Sequence, residues 1–198
     1  MSSSLIIGYT SGIGEAIFNE CKKRNYDTSG IGSATKDMIQ NWNSRVSIVK
    51  KAKEADCIYI IPSSDTNRFA QTEMLCDLYE AYKHTPKKII VISGSSPETR
   101  NRSNPDLRVK KYDVAKYGLD KMCLDLNLLE NQCQIINIKP GRFSGKRYDN
   151  SSHKDYIDVK QLSATICDIV ELSTEMRITS TTIVSCPYTG MNITPKNT

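Results

Sequence analysis

The stretch Ser4–Cys21, "SLIIGYTSGIGEAIFNEC", decides the fold. An apolar run ends at Gly8, and two further glycines follow at 12 and 14. From Ile13 onward, Ala16, Ile17, Glu20 and Cys21 recur at helical spacing. The run reads as a buried strand and the recurrence as a helix that begins at once. Glycines at such a junction have two physical uses. One lets the chain turn tightly after the strand. The others let an anion approach the backbone N–H groups of the helix start, and let helix pack closely on strand. The helix dipole favours negative charge at that point. The pattern alone is also ordinary turn punctuation, so its meaning depends on its surroundings.

Those surroundings are a long strand–helix series. Strands are expected at 4–8, 26–33, 45–49, 56–61, 87–93, 133–141 and 179–186. Helices are expected over 13–24, 35–43, 50–55, 67–84, 111–131 and 158–173, the last capped by Asp158. Alternation of this kind implies an α/β fold with a doubly wound parallel sheet of about seven strands and helices on both faces. The runs at 56–61 and 87–93 lack period-two alternation, as strands buried on both faces should. Residues 1–198 contain no repeat and no linker that would split them, so a single domain is expected. The polar stretches 97–108 and 142–157 follow strand ends, where open α/β sheets bind ligands.

Composition narrows the function classes. No apolar stretch approaches the roughly 20 residues of a membrane helix, and three serines rather than a basic segment precede "LIIGY". A soluble cytoplasmic protein is expected. The chain's 7 cysteines include no C-x-x-C pair and it has only 2 histidines, which argues against a metal centre and for buried reduced thiols. The formal net charge is +5, and the densest basic stretch is "RNRSNPDLRVKK", with Arg100, Arg102, Arg108, Lys110 and Lys111. It carries no aromatic residue between its cations, so nucleic acid is not the expected partner. It reads as a solvated loop, or as a border that draws in an acidic substrate.

The spacing of Gly8, Gly12 and Gly14, with "SGIG" at 11–14, resembles the classical branch of the short-chain dehydrogenase/reductase family. Three further features fall in the family's order over residues 4 to 186. "VISGSS" (91–96) stands where the family has a strand ending in a catalytic serine. "YDVAK" gives Tyr112-x-x-x-Lys116, and "IKPG" places Pro140 and Gly141 after the next strand. Tyr-x-x-x-Lys spacing is common by chance in a chain with 10 tyrosines and 18 lysines, and recurs at 79/83, 117/121 and 156/160. Only 112/116 and 117/121 lie between the serine strand and the Pro-Gly turn. Tyr112 is favoured because it sits nearer the helix start.

The resemblance implies a Rossmann-type dinucleotide fold and hydride transfer between NADP or NAD and a small carbonyl or alcohol. It implies that Gly8, Ser11, Gly12, Ile13 and Gly14 bind the diphosphate and that Pro140 and Gly141 line the nicotinamide. Tyr112 is implied as the proton carrier, and Lys116 as the cation that lowers the tyrosine pKa and holds the ribose. Ser95 is implied to orient the substrate oxygen, with Ser93 and Ser96 as alternatives. Homodimers or homotetramers pairing through 67–84 and 111–131 are also implied. After the second strand, Gly32, Ser33 and Lys36 offer a hydroxyl and a cation with no carboxylate before Asp37. This suits a 2′-phosphate and points to NADP over NAD. The alternative is a nucleotide-binding sensor or interaction protein without turnover. "IPSS" (61–64) replaces the family's Asn-Ala-Gly, and 142–157 leaves little chain for a substrate lid.

Overall fold

A computed structural model describes residues 3–32, 39–62, 67–94, 106–141, 143 and 157–183. The described strands are β1 (Ser3–Ile7), β2 (Asp27–Ile31), β3 (Cys57–Ile60), β4 (Lys88–Ile92), β5 (Gln134–Pro140) and β6 (Ser180–Ile183). The helices are α1 (Gly12–Lys23), α2 (Trp42–Lys51), α3 (Ala70–Tyr82), α4 (Leu107–Leu128) and α5 (Val159–Leu172). The six strands form one sheet in the order β2-β1-β3-β4-β5-β6, and every pairing is parallel. The chain leaves β1 for β2 on one side and returns to β3 on the other, so the switch point lies between β1 and β3. β3 is buried at every position and β4 at all but its first.

Two cores follow from strand alternation. Ile7, Ile58, Ile60, Ile89 and Val91 face Met74, Leu75 and Leu78 of α3 and Leu119 and Cys123 of α4. Ile6, Tyr59, Ile90 and Ile136 face Ile13 and Ile17 of α1 and Leu162 and Ile166 of α5. Arg24, just past α1, ties the second layer together through Glu20 (2.9 Å), Asp168 (2.8 Å) and Glu171 (2.9 Å). The six described cysteines are free thiols, five of them buried. Among the described residues, no helix is long and apolar enough to cross a membrane.

The sheet has six described strands rather than about seven, and the difference lies at 45–49. That segment belongs to α2, and a short 3-10 turn, Ala52–Glu54, continues it. The Asn41 side chain caps the helix by accepting from the Asn43 and Ser44 amides. Arg45 and Ile48, three residues apart, are its buried residues. Within a helix the Arg45 guanidinium meets Glu73 at 2.8 Å, Asp77 at 2.5 Å and the Ile39 carbonyl at 3.1 Å. An alternating strand would put Val46 and Ile48 on one face, whereas here Val46 is exposed and Ile48 fully buried. Val46→Lys should therefore change unfolding free energy in urea by less than about 0.5 kcal/mol. Ile48→Lys should cost about 3 kcal/mol or more. Equal costs would contradict the helix.

Candidate functional site

The first half of the site is the β1–α1 junction. The Gly8 amide donates to Ile31 O at 3.0 Å, fixing the turn against the end of β2. Pro62, at the end of β3, closes its other side: a Cβ on Gly8 would stand 3.1 Å from Pro62 Cδ. A Cβ on Gly14 would stand 2.0 Å from the Gly8 carbonyl oxygen, so only glycine lets α1 come this close to β1. Gly12 differs. Its φ is +60°, and no heavy atom lies within 4 Å of where a Cβ would be. Ser11 is the N-cap, but its side chain makes no capping hydrogen bond. The first amides of a helix have no partner within the helix, and the open Cβ position of Gly12 lies beside them. Ile13 turns its side chain into the core, so it can offer a ligand only its backbone.

The second half comes from β4 and α4 on the other face of the sheet. α4 starts at Leu107, four residues earlier than expected. Asp106 caps it by accepting from the Arg108 amide at 2.8 Å, and that bond holds the Asp106 carboxyl below its usual range. Tyr112 and Lys116 lie one turn apart and converge on Gly94, just past β4. A Cβ on Gly94 would stand 2.7 Å from the Tyr112 hydroxyl and 3.9 Å from Lys116 Cε. Lys116 Nζ is 5.3 Å from the Tyr112 ring centroid, and Arg68 Cζ is 5.9 Å from it. The rival Tyr117 is 69 % exposed, and Tyr79 is packed in the core.

The remaining residues divide by position. Ser93 is buried, and both its amide (3.1 Å) and its hydroxyl (3.5 Å) face the Ile138 carbonyl. Pro140 ends β5, and the Gly141 amide donates to Ile183 O at 2.6 Å, which commits it to β6. Ser95, Ser96, Ser33 and Lys36 lie outside the described residues, as do Arg100 and Arg102.

Gln71 was not singled out from the sequence. It is 2 % exposed on the first turn of α3. Its Nε2 donates to Ile60 O and Ile92 O, both at 3.0 Å, bridging the carboxyl ends of β3 and β4. Its Oε1 accepts from Lys116 Nζ at 2.6 Å. The available signal was a polar residue in register with Leu75, Leu78 and Tyr82 on the buried face of α3. Farther along α4, Asp120 engages Asn137 (2.6 Å) and Lys139 (3.4 Å), closing the layer beneath. A cavity of about 280 Å³ beside Cys133, Ser173 and Arg177 lies at the opposite edge of the sheet and takes no part.

No protein-family model matches the chain, and no curated protein matches it either. Solved structures do. A short-chain dehydrogenase from Streptomyces avermitilis superposes with a TM-score of 0.71 at 12 % identity, over 92 % of this chain and 88 % of that one. An alcohol dehydrogenase from the archaeon Thermococcus sibiricus, complexed with 5-hydroxy-NADP, gives 0.68 at 12 %, over 94 % and 97 %. A short-chain dehydrogenase from Burkholderia cenocepacia, in complex with NADP, gives 0.69 at 13 %, over 92 % and 87 %.

The fold is that of the short-chain dehydrogenases/reductases. At such identities the likeness concerns the path of the backbone. It spans nearly the whole of each chain.

The two junction glycines should respond differently to the same change. Gly14→Ala forces a methyl group into the Gly8 carbonyl and should lower stability by about 3 kcal/mol or more. Gly12→Ala meets only the left-handed backbone cost of about 1–2 kcal/mol. Thermal melts of the two variants check this order.

Proposed function

We propose that this chain is an NAD(P)-dependent oxidoreductase that interconverts a small carbonyl compound and its alcohol. One observation carries the proposal. Tyr112 and Lys116 converge on Gly94 at the same sheet edge where α1 opens on Gly12, whose Cβ position is free of neighbours. The open position beside Gly12 fits a diphosphate, since nothing there would have to move. Gly8, Ser11, Gly12, Ile13 and Gly14 would hold it through backbone groups at a helix start. Pro140 and Gly141, at the end of β5, would line the nicotinamide, and Lys116 would hold its ribose. Ser33 and Lys36 would meet a 2′-phosphate, which favours NADP over NAD. The NADP complexes of the Burkholderia and Thermococcus proteins support this choice by likeness of fold.

The bound nicotinamide would supply the hydride, or accept it in the reverse direction. The rest falls to side chains. In carbonyl reduction the Tyr112 hydroxyl passes its proton to the substrate oxygen as the alcohol forms. In the reverse direction the phenolate takes that proton back. A free tyrosine, with a pKa of about 10, is a poor base at neutral pH, and the Lys116 ammonium favours the phenolate by opposite charge. Ser95 would orient the substrate oxygen. Buried free thiols support a reducing, cytoplasmic setting.

A second copy of the chain is the proposed protein partner. Leu107, Val114, Tyr117, Leu124 and Leu128 form an exposed stripe along α4. Arg108, Lys110 and Lys111 crowd its start, whereas Asp125 and Glu130 lie near its end. A two-fold axis that pairs α4 antiparallel with itself brings opposite charges together and covers the stripe. Leu124→Lys should shift light-scattering mass toward the monomer.

Fluorescence titration should show NADPH binding, weakened about tenfold or more by Gly12→Val. Against a panel of small aldehydes and ketones, Tyr112→Phe should lower NADPH-dependent reduction by about 10²- to 10⁴-fold. Equal rates in wild type and variant would remove Tyr112 from the mechanism. Failure of both NADPH and NADH to bind would remove the enzyme proposal.

A further inference from the structure

We propose that Gln71 is the positioning residue for Lys116, a neutral clamp that fixes the ammonium beneath Tyr112 and ties it to the ends of β3 and β4. This rests on the roles assigned above to Tyr112 and Lys116. The side-chain amide has two donor hydrogens and one acceptor oxygen. Both hydrogens are committed, to Ile60 O and Ile92 O at 3.0 Å. These carbonyls belong to the strands and cannot turn away. The amide therefore cannot flip without losing both bonds and setting its oxygen against two carbonyl oxygens. Oε1 is forced toward α4, where it accepts from Lys116 Nζ at 2.6 Å. Gln71 is 2 % exposed and Lys116 7 %, so neither has bulk water as an alternative partner.

The choice of partner has an electrostatic consequence. A buried lysine most often meets a carboxylate, whose charge would cancel much of its field. A neutral amide holds the ammonium by a charge-assisted hydrogen bond and adds no opposing charge of its own. Among the described residues, the charged groups set over the Tyr112 ring are Lys116 and Arg68, both cations. Asp113 neighbours Tyr112 on α4, and Asp120, one turn beyond Lys116, is engaged by Asn137 and Lys139. β4 contributes no charge here, since Ser93 and Gly94 are its nearest residues. The clamp also explains why α3, which holds no other residue assigned to the site, presents a polar side chain on its buried face.

The test is ultraviolet titration of phenolate absorbance on the full chain, with Tyr112 isolated as wild type minus Tyr112→Phe, and needs neither substrate nor cofactor. In wild type, Tyr112 should ionise at least about one pH unit below ordinary tyrosine. In Gln71→Met, with the circular dichroism unchanged, its midpoint should rise by about one unit or more. A low midpoint in wild type that Gln71→Met leaves in place overturns the Gln71 assignment and spares the Tyr112–Lys116 pair. An ordinary midpoint in wild type instead overturns the pair itself. Should Gln71→Met not fold, ¹⁵N-glutamine labelling supplies the second measurement. In wild type one side-chain amide should exchange far more slowly than the others, and Lys116→Met should speed it about tenfold by freeing Oε1. No change on Lys116→Met also overturns the clamp.

Discussion

Among the described residues, the tightest glycine contact is the approach of α1 to β1. The site a Cβ would take on Gly14 lies 2.0 Å from the Gly8 carbonyl oxygen, so helix and strand touch backbone to backbone. That contact fixes where the helix begins. It aims the opening amides of α1 past the end of the sheet and lets Ile13 and Ile17 reach the core beside Ile6 and Tyr59. A longer side chain at 14 would lift the helix, open the core layer and move the amides together. Packing and the placement of those amides are thus set by one missing methyl group.

The site draws on both faces of the sheet. α1 lies on one face, and α3 and α4 on the other. Their functional ends meet only at the carboxyl edge, near the switch point between β1 and β3. In a parallel sheet every strand delivers its carboxyl end to this edge, so Gly8, Pro62, Gly94 and Gly141 gather there although they are far apart in the chain. The residues at 45–49 became a helix, and their buried Arg45 now braces α3 through Glu73 and Asp77.

What was legible in the sequence follows the range of the forces involved. The buried strands 57–60 and 88–92 were plain because burial on both faces removes polar residues altogether. The β1–α1 junction was plain because tight turns and close approaches leave glycine few substitutes. Residues 45–49 misled because "RVSIV" has the β-branched content of a strand. The Asn41 cap and the distant carboxylates on α3 that make it a helix act through hydrogen bonds and ion pairs, which leave no periodic trace. The spacing of Tyr112 and Lys116 was legible because a one-turn pair is local. Gln71 was not, because its three partners lie 11, 21 and 45 residues away.

That contrast bears on how such a site is built. A residue that touches a ligand is held to a chemical type and a short spacing. A residue that positions it is held only to reach and polarity, and reach is a property of the folded chain. Gln71 and Lys116 each replace an apolar side chain on a buried helix face, in register with Leu75 and Leu78 in one case and with Leu119 and Cys123 in the other. Without Lys116 the Gln71 Oε1 would lose the donor it faces inside the core, which is costly. The two side chains meet in one hydrogen bond, and Gln71 ties that bond to the carbonyls that end β3 and β4. A polar residue breaking the apolar register of two helices that pack on the same sheet face is therefore a structural signal in its own right, readable before any motif is recognised.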